Sequence, residues 1–211
     1  MDTLKFLYRT IPGRMILKFL TRPSLSNACG RFLDSDLSHF LIQPFVKENG
    51  ICVSDYEMDD VRSFNDFFSR KIKEGLRPID MDEKHLIAPC DGLLSVWKIR
   101  EDTVLPVKQS NYTVSSLLRN PKLATHYRDG YCLVFRLCVN PYHRYCYVDS
   151  GKKRRKGFLP GVLHTVRPIA LAQYPVFTEN SRAYTLIRTP EFGTVVQMEV
   201  GAMLVGRIVN H

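Results

Sequence analysis

No stretch of this 211-residue chain approaches the roughly 18–20 consecutive apolar residues that a membrane-crossing helix requires. The N-terminus has no uninterrupted apolar segment followed by a small-residue cleavage site, and so reads as lacking a secretory signal. Six cysteines are present (Cys29, Cys52, Cys90, Cys132, Cys138, Cys146) but no C-x-x-C pair, and several lie in apolar runs where a thiol behaves as a small hydrophobe. This speaks against a disulfide framework and for reduced thiols in the cytosol. No metal is expected: a zinc site on His143 and Cys146 would lack two further ligands at sensible spacing. There is no internal repeat, no zinc-finger spacing and no aromatic-interleaved basic strand, which argues against a nucleic-acid partner.

What is present is a folded protein that needs an anionic partner. Hydrophobic residues make up 45% and charged residues 24%, enough for one substantial core or two small ones. The net charge is +9, which by itself suits nucleic acid, an anionic membrane surface or a phosphorylated substrate. Residues 1–31 hold six cations (Lys5, Arg9, Arg14, Lys18, Arg22, Arg31) against Asp2 alone. Leu4, Leu7, Tyr8 and Ile11 have helical spacing, and Met15, Ile16, Leu17, Phe19 and Leu20 form a second apolar group beyond Pro12-Gly13. Two short basic amphipathic helices are expected to lie in a membrane interface, the competing reading being that they cap the folded domain.

Ser35 to Phe68 reads as mostly helical, with a capping box from Ser54 to Glu57 and a core stripe of Phe64, Phe67 and Phe68. From about residue 86 short strand-like runs appear (Leu93–Ile99, Tyr131–Val139, Tyr184–Arg188, Thr194–Val200), with a helical insertion at Val114–Leu118. Such a texture suggests a sandwich or barrel. Lys152–Lys156, five cations between glycines, is expected to be a solvated loop; beside anionic lipid each cation could add about 1 kcal/mol of binding.

The run Cys132–Val139 reads as a strand buried on both faces, a short buried helix being the alternative that periodicity leaves open, and is stopped by Asn140-Pro141. Tyr142-His143-Arg144-Tyr145-Cys146-Tyr147 comes next, a density of titratable groups that a reaction site needs, although polar tips of an ordinary aromatic strand would look the same. Ala88-Pro89-Cys90-Asp91-Gly92 can project a carboxylate from a rigid corner, though an Asp-Gly is more often merely a turn. His164, in Gly161–Val166, could equally be a satisfied core residue.

The order of these pieces is more specific than any one of them. Phe64-x-x-Phe67-Phe68-x-Arg70, Arg77-Pro78, Ala88-Pro89-Cys90-Asp91-Gly92, Tyr142-His143-Arg144 and Val200-Gly201-Ala202-x-x-Val205-Gly206 together resemble the phosphatidylserine decarboxylase family, as do Lys108 and Tyr112–Leu118. The resemblance implies an α+β protein, with a mainly helical membrane-associating part over residues 1–80 and a β-rich catalytic domain over 81–211. It implies conversion of phosphatidylserine to phosphatidylethanolamine through a Schiff base to a pyruvoyl group. That group arises by self-cleavage before a serine in a Gly-Ser-Thr-like motif, which is expected beyond His211, on a small α chain partnering this one. A homo-oligomer at the cytoplasmic face of the membrane is the expectation.

Carried over by position, Asp91 would orient the self-cleavage base and His143 would assist decarboxylation. Two positions depart from the family. Cys146 stands where many members have a second His, and a thiol with an ordinary pKa of about 8.5 is a poor base; His164 is the alternative, then His143 serving twice. Asn180-Ser181-Arg182 replaces Asn-Glu-Arg. Tyr142, Arg144 and Arg182 are the substrate-binding candidates, and Lys5, Arg9, Arg14, Lys18 and Arg22 the membrane-binding ones. A soluble amino-acid substrate, or a lipid-binding relative without catalysis, are the competing functions.

Overall fold

The chain opens with three short helices, and its local chemistry explains where each stops. A computed structural model describes residues 3–100, 104–107, 110–206 and 208–209; Lys108 lies outside them. Helix α1 (Thr3–Arg9) ends at Thr10, whose Oγ1 donates to Phe6 O at 2.8 Å and accepts from Gly13 N at 3.0 Å. Helix α2 (Ile11–Leu20) begins there, with Pro12 in its first turn, where a missing N–H costs nothing. The break expected at Pro12-Gly13 therefore falls at Thr10. Gly13 is needed for the close approach of α1, since a Cβ there would sit 2.1 Å from Phe6 O. Helix α3 (Pro23–Leu33) comes after it. Among the described residues no helix is long and apolar enough to cross a membrane.

A 3-10 turn (Asp36–Leu41) leads into α4 (Ile42–Asn49), closed by Gly50 at φ 59°. No capping box forms at Ser54; one forms at Ser63, whose Oγ accepts from Asp66 N at 3.1 Å while the Asp66 carboxylate accepts from Ser63 N at 2.9 Å. Ser54 sits inside a 3-10 turn and Glu57 in strand β1 (Tyr56–Glu57), so neither has a helix to cap. The true box starts α5 (Phe64–Phe68), after which β2 (Lys71–Ile72) pairs with β1.

The remaining elements are β3 (Gly92–Lys98), β4 (Val104–Val107), β5 (Ser110–Thr113), α6 (Val114–Leu118), α7 (Pro121–Ala124), β6 (Tyr131–Leu137), β7 (Lys152–Leu159), α8 (Pro168–Leu171), α9 (Val176–Glu179), β8 (Arg182–Arg188) and β9 (Thr194–Val200). The fold is α+β: N-terminal helices, then small antiparallel sheets ordered β3-β6, β4-β5 and β7-β8-β9. Among the described residues these sheets do not close into a barrel.

Two strands differ from expectation. β6 is not buried on both faces: among the described residues it pairs only with β3, and Leu93, Leu94, Val96 and Leu133 of this ribbon remain exposed. Lys152–Lys156 is not a loop but most of β7, an edge strand laddered to β8 with a bulge between Lys153 and Lys156. β8 supplies the hydrogen bonds that make the segment extended, while the cations stay in water and blunt the sheet edge.

Two apolar clusters tie the N-terminal helices to the rest of the chain. Leu7, Tyr8 and Leu17 pack with Ala170, Leu171 and Val176. Ile42, Ile51, Tyr56 and Phe67 form the other, with Tyr142 against it. The expected phenylalanine stripe is core: Phe67 is fully buried. Truncation there, Phe67→Ala, is expected to destabilise the protein by about 3–5 kcal/mol, read as a lowered urea midpoint with an unchanged slope.

Candidate active site

The carboxylate corner is built by pairing two extended segments. Ile87 N donates to Val148 O at 3.0 Å and Cys146 N donates to Pro89 O at 2.9 Å, so Ala88 and Tyr147 face each other and Cys146 lies against Pro89. Gln197 of β9 fastens the second segment, donating to Cys146 O at 3.0 Å and accepting from Val148 N at 3.3 Å. Gly92 N closes a tight turn on Cys90 O at 2.8 Å and leaves Asp91 at its apex. A Cβ on Gly92 would come within 3.3 Å of the Arg136 main chain, so a larger residue there would push the corner a few tenths of an ångström off β6. Arg77 holds the carboxylate, its Nε 2.9 Å and its Nη2 2.8 Å from Asp91 Oδ2.

The imidazole is carried by a turn bound to the end of α5. His143 N donates to Phe68 O at 3.1 Å and Arg144 Nε donates to Ser69 O at 2.6 Å. Arg70, wholly buried, donates to Phe67 O at 3.1 Å and Asn140 O at 2.8 Å, with its guanidinium over the rings of Tyr56 (4.1 Å) and Phe67 (4.5 Å). It thereby binds the Asn140 turn to the helix. The His143 ring stacks on Phe68 with centroids 3.8 Å apart. Burial drives its pKa down to about 4, the Pro141 carbonyl opposing this and the Arg70 charge adding to it. At neutral pH the imidazole is uncharged.

Burial, and then the charge of Asp91, raise the pKa of Tyr142 and of Cys90. Burial also raises that of Cys146, whose Sγ lies 3.7 Å from Pro89 O. The structure thus gathers Asp91, Tyr142 and Cys146 at one corner, with His143 on the turn beside them and Cys146 a protonated thiol. Arg144 is exposed at the same turn.

His164 and Arg182 belong elsewhere. His164 is buried with Tyr8, Tyr174 and Glu179 around it. Arg182 is 1% exposed and donates to the carbonyls of Ser116, Leu117, Thr178 and Asn180 at 2.7–3.2 Å. Its guanidinium staples the α6 end to β8. Lys5, Arg9, Arg14, Lys18 and Arg22 are all exposed on or beside α1 and α2. Sequence reasoning gave Phe68 and Arg70 no part beyond the core and the motif, and missed Gln197. The signal for the first two was their place in the Phe-x-x-Phe-Phe-x-Arg pattern; nothing local marks Gln197.

A paired carboxylate, a neutral imidazole and an aromatic floor on an α+β body are the equipment of an enzyme that moves protons. Residues 64–211 match the family described as phosphatidylserine decarboxylase. The chain is 46% identical over 209 residues to phosphatidylserine decarboxylase proenzyme 2 of Clostridium acetobutylicum, spanning 99% of this chain and 72% of that protein. It is 38% identical over 212 residues to the phosphatidylserine decarboxylase proenzyme of Ruminiclostridium cellulolyticum (98% and 71%), and 37% identical to that of Clostridium botulinum strain Kyoto (98% and 72%). The chain belongs to the phosphatidylserine decarboxylase family. Its activity is that of a carboxy-lyase acting on phosphatidylserine, and the family is pyruvoyl-dependent.

The low pKa of His143 sets how its burial responds to pH. Its neutral form stabilises the fold above the unfolded value of about pH 6.5, and the contribution is lost as pH falls towards 4. An NMR titration of the His143 ring should give a midpoint of about 4. Phe68→Ala, which opens the ring to water, should move the midpoint up; an unmoved midpoint would remove burial by Phe68 as the cause.

Proposed function

We propose that this chain is the body of a self-processing phosphatidylserine decarboxylase working at the cytoplasmic face of an anionic membrane. The observation that carries the residue assignment is the seat of Cys146 against Pro89, which puts the position usually held by the family's second His beside the Asp91 corner. Asp91 and Cys146 keep accessible surface, so a carbonyl group brought by another segment can reach them, and the residues fit such a group. The pyruvoyl group is taken to derive from a serine outside residues 1–211, borne on a small α chain. Its carbonyl supplies the sink for the electrons released when carbon dioxide leaves the substrate.

The chain's own residues do the rest. Asp91, held by Arg77, orients the base for self-cleavage. Cys146 is a weak candidate for that base because a thiol is already protonated at neutral pH and its pKa is raised further by partial desolvation, and His164 is enclosed by Tyr8 and Tyr174. His143 is left to serve both steps: a neutral imidazole has one N–H and one lone pair, so it can take a proton and return it to the substrate carbon. Tyr142 and Arg144 meet the head group in this reading, which the exposure of Arg144 supports, with Arg144 as partner for its phosphate or carboxylate. Arg182 is left out of this set, its donors being engaged by main-chain carbonyls. Homo-oligomerisation remains part of the proposal, with no role for nucleic acid.

The membrane reading rests on α2. Ile11, Met15 and Phe19, 71%, 73% and 55% exposed, form one outward row, and Arg14, Lys18 and Arg22 form the row beside it. Phe32, Leu37 and Phe40 extend the exposed apolar surface.

In protein expressed from the complete gene, intact mass spectrometry should find two chains, the smaller one starting with a pyruvoyl group. Asp91→Asn should leave one uncut chain; normal processing in that variant would sink its assigned role. His143→Ala should lower decarboxylation by at least about 100-fold. Reversing Arg14, Lys18 and Arg22 to Glu should weaken flotation with anionic vesicles by roughly 100-fold or more, at about 1 kcal/mol for each cation lost. Unchanged flotation would refute the membrane reading and leave a soluble substrate in contention.

A further inference from the structure

The joint between α1 and the catalytic body is polar where apolar packing alone would hold it. Tyr8 is completely buried in the cluster of Leu7, Leu17, Ala170, Leu171 and Val176, yet its hydroxyl lies 3.2 Å from His164 Nδ1 and accepts from Thr165 N at 3.3 Å. A phenol donating to Nδ1 requires the ring proton on Nε2, and Nε2 faces Glu179 Oε2 at 3.7 Å. The His164 ring also stacks on Tyr174 at 4.4 Å. The His164 main chain is clamped at both ends by one side chain: its N donates to Asn180 Oδ1 at 2.9 Å, and Asn180 Nδ2 donates to its carbonyl at 2.8 Å. Leu163 N reaches across to Thr21 O, at the end of α2, at 2.9 Å.

Burial of Tyr8 and Leu17 supplies attraction without direction. Hydrogen bonds supply direction, and an unmatched buried hydroxyl is costly, so these contacts select one orientation of the helices. Leu17 faces the body while Ile11, Met15 and Phe19 point away, so that one orientation also fixes where the outward row lies relative to the Asp91 corner.

We propose that the Tyr8–His164–Glu179 joint is a positioning device that holds the bilayer-facing helices α1 and α2 at a fixed angle to the catalytic body, so that phosphatidylserine embedded in an anionic bilayer is presented to the Asp91–His143 corner. The proposal rests on the membrane reading above. His164 and Tyr8 are positioning residues here; neither touches substrate.

The test uses the mature, self-cleaved full-length enzyme with Tyr8→Phe, which keeps the ring and removes only the hydroxyl, and with His164→Gln. Each is assayed on phosphatidylserine in anionic vesicles and on a short-chain phosphatidylserine kept monomeric. Both variants should cleave themselves fully and float with vesicles as the wild type does. Turnover of vesicle substrate should fall about fivefold or more, with the monomeric rate within about twofold of wild type. A parallel fall on both substrates would mean a merely structural role and overturn the proposal, as would no fall on either. Failure of His164→Gln to self-cleave would overturn it too, making that residue the base. If wild-type enzyme processes normally but does not float, the membrane reading itself has failed; if it floats and the variants keep its vesicle-to-monomer ratio, only the joint has failed.

Discussion

Arg70 carries a charge in a place where water cannot reach it, and the site depends on how that charge is satisfied. Burial lowers its pKa, and its partners are two carbonyls and the faces of Tyr56 and Phe67. One of those carbonyls belongs to Asn140, at the root of the turn that bears His143. Losing the guanidinium would therefore free both the end of α5 and the imidazole. The same charge adds to the burial that keeps His143 neutral, so one buried cation contributes to both the position and the protonation of a catalytic candidate. Nη1 and Nη2 find carbonyls while Nε makes no hydrogen bond among the described residues, so the two carbonyl bonds and the two ring faces are what offset the burial, and they tie the Phe-x-x-Phe-Phe-x-Arg and Tyr-His-Arg stretches to each other.

The corner and the turn are made by different devices. Asp91 depends on main-chain pairing between residues 87–89 and 146–148, braced from β9 by Gln197, with Arg77 near solvent as its counter-charge. His143 depends on side-chain packing against α5. The two devices meet because Cys146 lies three residues beyond His143. A carboxylate at a half-open apex and an imidazole on an aromatic floor have opposite needs, ion pairing for one and exclusion of water for the other.

At the other end of the chain, the helices that present cations and exposed apolar side chains are not a loose appendage. They share the Tyr8 cluster with α8 and α9, which packs them onto the folded body. The cationic β7 adds a second basic surface, held extended by β8.

Much of this was legible from residue order. The Phe64–Phe68 stripe, the helical insertion at Val114–Leu118 and the strand-like runs 93–99, 184–188 and 194–200, which overlap β3, β8 and β9, come from local pattern, and the family comes from the order of motifs. What local pattern misjudged were cases settled by distant partners. Lys152–Lys156 became a strand because β8 offered it a ladder, and Ser54 failed as a cap because its neighbours turned into a 3-10 turn and a strand. The Cys132–Val139 run reads as a fully buried strand, yet β3 is its sole ladder partner among the described residues and leaves apolar residues exposed. His164 and Arg182 look alike in sequence to site residues, and only tertiary contacts assign one to Tyr8 and the other to four carbonyls. By itself the sequence determined most of the element types, the basic N-terminal face and the residue types available for chemistry, because these depend on spacing and composition. The tertiary structure decided which of those residues share a corner and which of them are charged there, because proximity and burial come from contacts between segments far apart in the chain.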